Sequence, residues 1–465
     1  MAVIESSAYL TQQGQTRGTF GPGRLKDEYW EKLDDHVHTG RMIPSIIATK
    51  RGTMGGRRSL TSVMSDYPQS AGIALFEGYR VPTPRVGTYF NPELISRDLY
   101  MYLEWTGHVE RAARKGSSVA WAAPRKEDMK TARIQFEINF CRMLYLGPFQ
   151  VLGTVSAWAG GPFQATLYGR DQRSSAANNL WKFGSHYLRR NMSVAFVPNN
   201  GGNVNAPGSI ADNDVGGTAE ERFITAIDTS GASPVVTLNA APTTAPANNS
   251  IILPYASRRP STGGAAVDAD FISRFAGVNG LMQLATDANI YSFLFGLSRS
   301  TFPTLQGKRF RDAGGVNRVW NEDYISVAAD TVNDEGTGDD PECLLMHRSL
   351  RREYIAESKG DRRFKEVQTQ KGWGELHFHA GDVLLPVKTD RDCPPGLVFV
   401  LDGSTFGWYE ESPFGSPDQG ERFVPNQDAR AQLSHKSGNG MTDKPHNSGT
   451  VEDISHALSD LPVIG

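Results

Sequence analysis

An α+β fold, a mixed sheet with flanking helices, is what this sequence predicts, and three stretches predict it. The run from Pro341 to Phe414 reads as strand, helix, glycine turn, alternating strand, proline turn and strand. Between Phe163 and Met192, the residues Ala176, Leu180, Phe183 and Tyr187 recur at spacings of four, three and four, the stripe of a long helix. In ARIQFEINF, Ile134, Phe136, Ile138 and Phe140 alternate with Gln135, Glu137 and Asn139, the period of a strand with one buried face.

In chain order, residues 1 to about 23 are polar and dotted with glycine, and a short helix follows from Leu25 to His36 with Leu25, Tyr29 and Leu33 on one stripe. An arm of this kind needs a neighbour to pack against. Short apolar pieces from Met42 to Met64 are broken by KRGTMGGRRS, and the simplest reading of about 70 to 155 is a long β-hairpin or arm of strands. The helix from Phe163 to Met192 would span some 35 to 40 Å at about 1.5 Å per residue. After it, ERFITAID, SPVVTLNA and NSIILPYA are three short β-type runs, a small sheet beside the main core.

Denser apolar text begins at Ala276. The strand ECLLMH leads into the helix RSLRREYIAESKGDRRF, which stops near Lys359 and Gly360, and KGWG (Lys371 to Gly374) acts as a hinge. ELHFHAGDVLLPV then reads as one strand, DRDCPPG as a tight turn, and LVFVLDGSTFGWYEESPF as a second strand. The last fifty residues are polar and read as an extended tail.

Composition narrows the class of function. The chain has 465 residues, 39% of them hydrophobic, and its 48 glycines and 26 prolines call for long loops. A net charge of −3 from 48 basic and 51 acidic residues excludes a bulk electrostatic grip on nucleic acid. The three cysteines, Cys141, Cys343 and Cys393, fit no zinc ribbon or redox pair, and the N-terminal text lacks the pattern of a signal peptide. The expectation is a chain made in the cytoplasm with reduced thiols and no membrane span.

Candidate chemistry is sparse. His377 and His379 lie at i and i+2 on strand text, so two imidazoles share a face as in a cupin-like metal site. Such a site wants a carboxylate on that face and a third histidine; Asp382 has the opposite parity, and His435, His446 and His456 fall in the tail. The pair therefore reads as surface or structural histidines. RGTMGGRRS has Arg57 and Arg58 where a phosphate loop needs lysine, so Lys50, Arg51, Arg57 and Arg58 read as a flexible basic arm. The text Gly296-Leu-Ser298-Arg-Ser300 lacks the second glycine of a nucleophile elbow. Each cysteine sits beside apolar text and reads as a buried thiol, while Asp339 with Asp340 and Glu410 with Glu411 are adjacent pairs that point apart on an extended chain.

Four segments, VNGLMQLATD, FGLSRSTFPTL, ECLLMHRSLRREYI and GWGELHFHAGDVLLPVKTDRDCPPGLVFVLDGSTFGWYE, carry a family resemblance. With the element order from about Leu60 to Phe414, they resemble a tailed-bacteriophage major capsid protein of the Hong Kong 97-like fold. The resemblance implies an N-terminal arm with a short helix (1–64), and an extended strand-rich loop running into a peripheral domain (65–160). It further implies a spine helix and peripheral strands with an insertion spanning 199 to 264 (161–275), an axial domain (276–400), and a return strand with a C-terminal tail (401–465). It implies a non-catalytic shell subunit, without metal or cofactor, that self-assembles as hexamers and pentamers into an icosahedral head. Its partners would be copies of itself, scaffold, portal and decoration proteins, and enclosed double-stranded DNA held without sequence readout. Its location would be the virion, assembled in the host cytoplasm. The alternatives are a cupin-like metal enzyme using His377 and His379, and a non-viral nanocompartment shell.

Overall fold

The computed structural model describes residues 46, 48–51, 58–60, 63–66, 86–106, 124–146, 152–168 except 162, 184–197, 221–254 except 232, 243, 244, 247 and 249, 293–311 except 296, 318–335, 341–357, 377–380, 383–415, 421–423, 428–442 and 444–454. Helix and sheet are mixed, and strands predominate. The helix expected at Leu25 to His36, the hinge at Lys371 to Gly374 and residues 199–220 lie outside the described residues.

The first strands are short: β1 (Ala48–Arg51), β2 (Arg58–Leu60), β3 (Val63–Asp66), β4 (Thr88–Phe90) and β5 (Glu93–Ile95). β2 pairs with β5 and β3 with β4, making two-stranded ribbons. Ribbons of two strands are marginal by themselves and need a neighbouring surface. β6 (Arg97–Thr106) is longer, and after it comes α1, the 23-residue helix Pro124–Leu146. Proline opens α1 at the position where its missing N–H costs nothing.

α1 corrects the strand expected over Ile134 to Phe140. On a helix that alternation splits into two i, i+4 pairs on different sides, Ile134 with Ile138 and Phe136 with Phe140. The aromatic pair packs on one sheet, with Phe136 4.6 Å from Phe414 and Phe140 edge-on to Trp408 at 4.9 Å. The last turns, Cys141 to Leu146, are buried on every side.

The described ends of the long helix expected from Phe163 to Met192 are not helical, and residues 169–183 lie outside the described residues. β7 (Gly153–Ala159) and β8 (Gln164–Leu167) form a hairpin, Gly184 to Tyr187 form a turn, and β9 (Ser193–Val197) follows. Positive φ at Phe163, Gly184 and Asn191 is the physical reason, since a right-handed helix cannot continue through left-handed residues. With β10 (Arg222–Asp228), β11 (Val235–Leu238) and β12 (Ile251–Pro254), these strands close a six-stranded antiparallel barrel in the order β10, β11, β8, β7, β12, β9. The three β-type runs read from the sequence are thus half of a barrel. Its inward set, including Val155, Leu167, Ile224, Val236 and Ile252, joins the buried end of α1 in one core. Closure leaves no free edge.

A small hairpin, β13 (Phe293–Leu294) and β14 (Leu297–Ser298), leads to β15 (Lys308–Phe310), α2 (Glu322–Glu335), β16 (Cys343–His347) and α3 (Arg348–Glu357). Next come β17 (His377–Ala380), β18 (Val383–Asp390) and β19 (Val398–Leu401). The text expected as a single strand, ELHFHAGDVLLPV, is an antiparallel hairpin in which Ala380 pairs with Val383.

The text from Leu397 to Phe414 also divides. Asp402 ends β19, its carboxylate accepting from the Ser404 amide at 3.1 Å, and β20 (Phe406–Gly415) enters another sheet. Beyond it lie β21 (Glu421–Phe423), β22 (Ala429–Thr442) and β23 (Gly449–Val451).

The expected extended tail is therefore corrected: it builds the middle of both sheets. β23 is inserted in the six-stranded mixed sheet β15, β23, β19, β16, β18, β17, between parallel β15 and antiparallel β19. It is clamped by a buried Arg309–Glu452 pair whose Nε donates to Oε1 at 2.7 Å. β22 lies between β6 on one side and β20 and β21 on the other, and β1 extends that sheet parallel to β20. The polar composition suits a strand whose backbone is paired on both sides and whose glycines admit a large neighbour. A Cβ on Gly438 would lie 2.6 Å from the Tyr409 carbonyl and 2.8 Å from Trp408 Nε1.

The six-stranded sheet is covered on both faces. Along β16, Cys343 and Leu345 join the core shared with α1 and the barrel, while Leu344 and Met346 join the core under α2 and α3. In β19, Phe399 and Leu401 point to the first core and Val398 and Val400 to the second. Continuous apolar text is what two buried faces require.

Candidate functional site

The residues singled out by sequence are dispersed by the fold. β17 pairs His377 with Pro386 and His379 with Leu384, and the His377 carbonyl accepts a hydrogen bond from the Tyr354 hydroxyl at 3.2 Å. Asp382 lies outside the described residues, among which no group of three or more His, Cys, Asp or Glu side chains is placed to hold a metal ion. Lys50 and Arg51 belong to β1 and Arg58 to β2, which corrects the flexible basic arm at these positions. Strand pairing holds β1, with Lys50 opposite Tyr409 and Arg51 opposite Glu410. Arg57, Gly296, Asp339 and Asp340 lie outside the described residues, and Ser298 and Ser300 share a hydroxyl–hydroxyl contact of 2.8 Å.

The three cysteines are buried and unbridged. Burial pushes the Cys343 thiol up to about 11, and burial with the nearby Asp390 and Asp392 carboxylates pushes Cys393 up further. Thiols held this way stay protonated at neutral pH and are poor nucleophiles. Glu410 and Glu411 point apart. Glu411 is exposed, while Glu410 is buried beside a bulge in β20 and pairs with Lys436 Nζ at 3.1 Å. That ammonium also lies 4.5 Å from the Phe140 ring centre and 5.8 Å from that of Trp408, so it ties β22 to β20 and α1 together.

A second buried polar group occupies the seam between α1, the turn before β9 and the ends of β16 and β18. Tyr187 donates its hydroxyl to the Asp392 carbonyl at 2.8 Å, and Arg142 stands over the Tyr187 ring at 5.8 Å. His186 meets His347 edge-on at 4.8 Å, and His347 Nδ1 shares a 2.7 Å hydrogen bond with the Ser349 hydroxyl. Parallel strands β16 and β18 bring His347 level with Asp390. Burial raises the Tyr145 and Tyr187 phenols well above their ordinary value, with Cys393 and the carboxylates of Asp390 and Asp392 adding to it. These side chains are buried and pack on one another across α1, the turn before β9 and the ends of β16 and β18. Their chemistry is that of a joint.

The surface offers more. On one face of the β6–β22 ribbon, Tyr100 is opposite His435 and Tyr102 opposite Leu433. Tyr100 is 61% exposed, Tyr102 57% and Leu433 37%. The other face of the same ribbon holds buried Trp105 and half-buried Leu99 against the core. Val86, next to the ribbon strand β4, is 90% exposed. Sequence reasoning missed this aromatic stripe because one of its strands stood in text read as an arm of strands without register and the other in text read as tail; the alternation of Leu99, Met101, Leu103 and Trp105 against Tyr100 and Tyr102 was the available signal.

No family model matches this chain, and no curated protein matches it. Among solved structures, it is similar to the cyanophage A-1(L) capsid asymmetric unit, with a TM-score of 0.48 and 10% identity over 92% of this chain and 97% of that one. It is similar also to the capsid of a native GTA particle, with a TM-score of 0.43 and 8% identity over 94% and 97% of the two chains. The capsid of Myoviridae phage XM1 gives 0.40 and 5% identity over 92% and 97%. Each of these three structures is a phage or GTA capsid.

Proposed function

We propose that this chain is the major capsid protein of a tailed double-stranded DNA phage, a non-catalytic subunit that assembles into an icosahedral head around the genome. The observation that carries the reading is the unequal distribution of burial. Two apolar cores hold the six-stranded sheet and the barrel, whereas the ribbons of residues 58–95 and the β6–β22 face present Val86, Tyr89, Tyr100, Tyr102 and Leu433 to solvent. A subunit of a shell leaves such surfaces for its neighbours, and obligate contacts of this kind cover on the order of 2,000 to 5,000 Å².

In this reading α1 takes the place of the spine helix that the sequence assigned to residues 163–192. The β1, β20, β22, β6 sheet with α1 forms the peripheral domain, and the six-stranded sheet with α2 and α3 forms the axial domain. The barrel would be an insertion on that frame. Scaffold, portal and decoration proteins would act on the assembled shell, and DNA would be enclosed without sequence readout.

Electron microscopy and sedimentation of the expressed chain test the proposal. Closed shells or capsomer rings of uniform size are expected. A chain that stays monomeric at high concentration under assembly conditions overturns it, and a co-purifying protein cargo in place of DNA points to a nanocompartment shell.

A further inference from the structure

Two helices on one face of the six-stranded sheet each carry charge against the dipole at one end, although Glu322 and Asp323 suit the start of α2. α2 contains five carboxylates, Glu322, Asp323, Asp330, Asp334 and Glu335, and no lysine or arginine, so its last turns are acidic at the negative end of the helix. α3 opens with Arg348, Arg351 and Arg352 at its positive end and has no acidic residue in its first turn. Neither placement helps the helix that bears it. A local cost of this sort marks a demand from outside the fold.

The charges are presented outward in register. Asp323, Val327, Asp330 and Asp334 follow one another at spacings of four, three and four, one exposed stripe, in which Val327 is 55% exposed. On α3, Arg348, Arg352 and Ala356 form an exposed stripe at spacings of four, with half-buried Arg351 beside it.

The acidic end of α2 and the basic start of α3 lie toward opposite ends of β16. Val332, in the last turns of α2, lies against Gly449, whose register through Val400 reaches Leu344 near the start of β16, whereas α3 leaves from the other end of that five-residue strand, roughly 13 Å away at about 3.3 Å per residue. The helices approach instead through the start of α2, where Trp320 is 6.0 Å from Tyr354.

We propose that the Asp323–Asp334 stripe of α2 docks on the arginine end of α3 in a second copy of this chain, a head-to-tail contact that repeats around a ring. The match in sign, in helix polarity and in small apolar centres, Val327 against Ala356, identifies the occupant as a second copy. DNA would meet repulsion along the whole of α2. Different surfaces meet on the two copies, so the contact is heterologous and closes into a ring. It rests on the shell reading above and adds to it which surfaces join neighbours around a capsomer.

Charge reversal tests it on the full chain. Asp330→Lys with Asp334→Lys forms one variant and Arg348→Glu with Arg351→Glu the other, each examined by sedimentation at low and at about 1 M salt. Each variant alone should need at least tenfold more protein to assemble than wild type at low salt, and a smaller excess at high salt, where screening is strong. An equimolar mixture of the two should recover rings of six near the wild-type concentration, because alternation there lets every contact join opposite charges, whereas a ring of five keeps one like-charged contact. Thermal unfolding of either variant should be unchanged or raised, since each reversal agrees with its helix dipole, which separates lost assembly from lost folding. Wild-type assembly with both variants assembling normally, or with a mixture that fails to recover, overturns the contact and leaves the shell reading standing. A wild-type chain that never assembles overturns both.

Discussion

β16 and β22 are both central strands of their sheets, and they are built on opposite terms. β16 is CLLMH, with a core on each face, so each of its five residues is buried. β22 has fourteen residues, of which Leu433 and His435 face outward opposite Tyr102 and Tyr100, while Lys436 and Gly438 turn toward Phe140 and Trp408. The difference teaches where stability and function are separated in this molecule. One strand holds a domain together; the other offers a surface.

The comparison can be broken at its strongest point by removing one member of a buried ion pair beside the six-stranded sheet. Arg309→Met leaves Glu452 buried and uncompensated, and an expected loss of about 3–5 kcal/mol should be read by urea unfolding of the dissociated subunit. If β23 were a dispensable tail, that loss would be within about 0.5 kcal/mol. Leu345→Ala on β16 is expected to cost about 2–5 kcal/mol, since the side chain is wholly buried and the sheet around it is too constrained to collapse.

Alkaline pH probes the same strand without a cavity. The Cys343 thiol, held up to about 11 by burial, keeps its proton where the unfolded chain has lost its own. The unfolded state then binds fewer protons, so stability falls as pH rises from about 9 through 11, by roughly 2–3 kcal/mol for this one group. Unfolding midpoints collected at pH 8, 9, 10 and 11 should fall less steeply for Cys343→Ala than for wild type. Parallel slopes would mean that Cys343 titrates alike in both states.

This contrast also explains what could be read from the sequence. Strands with two buried faces announce themselves as continuous apolar text in CLLMH and LVFVL, and the three barrel runs were legible as short β-type runs between turn residues. α1 was hidden because two half-buried sides of a helix, Ile134 with Ile138 and Phe136 with Phe140, produce the same alternation as a strand. The helix read over Ala176 to Tyr187 depended on spacing alone, and of that stripe only Tyr187 is described, in a turn that opens with left-handed Gly184. β22 carried no hydrophobic signal because its burial comes from β6, β20 and Trp408, which are distant in sequence. Of the candidate sites, the paired histidines were visible in the text, and β17 places both on one strand of a hairpin. The Tyr100 stripe needed the register of β6 on β22, which only the tertiary structure supplies.

Two substitutions in β22 sharpen the comparison on its own side. Gly438→Ala forces a methyl group against the Tyr409 carbonyl and Trp408, and overpacking of about 1–3 kcal/mol is expected in urea unfolding, although the strand is polar. Tyr102→Ser lies at the other extreme. Its ring is mostly in water, so the isolated subunit should change by no more than about 0.5 kcal/mol. If the exposed stripe is covered by a neighbouring copy, the same substitution should raise the concentration needed for assembly severalfold, since removing an aromatic anchor from an interface typically costs more than 1 kcal/mol. Sedimentation and unfolding on the same preparations separate the two effects. A Tyr102→Ser chain that assembles as wild type would leave the outer face of β22 as ordinary surface, and the division of labour between β16 and β22 would then be one of burial alone.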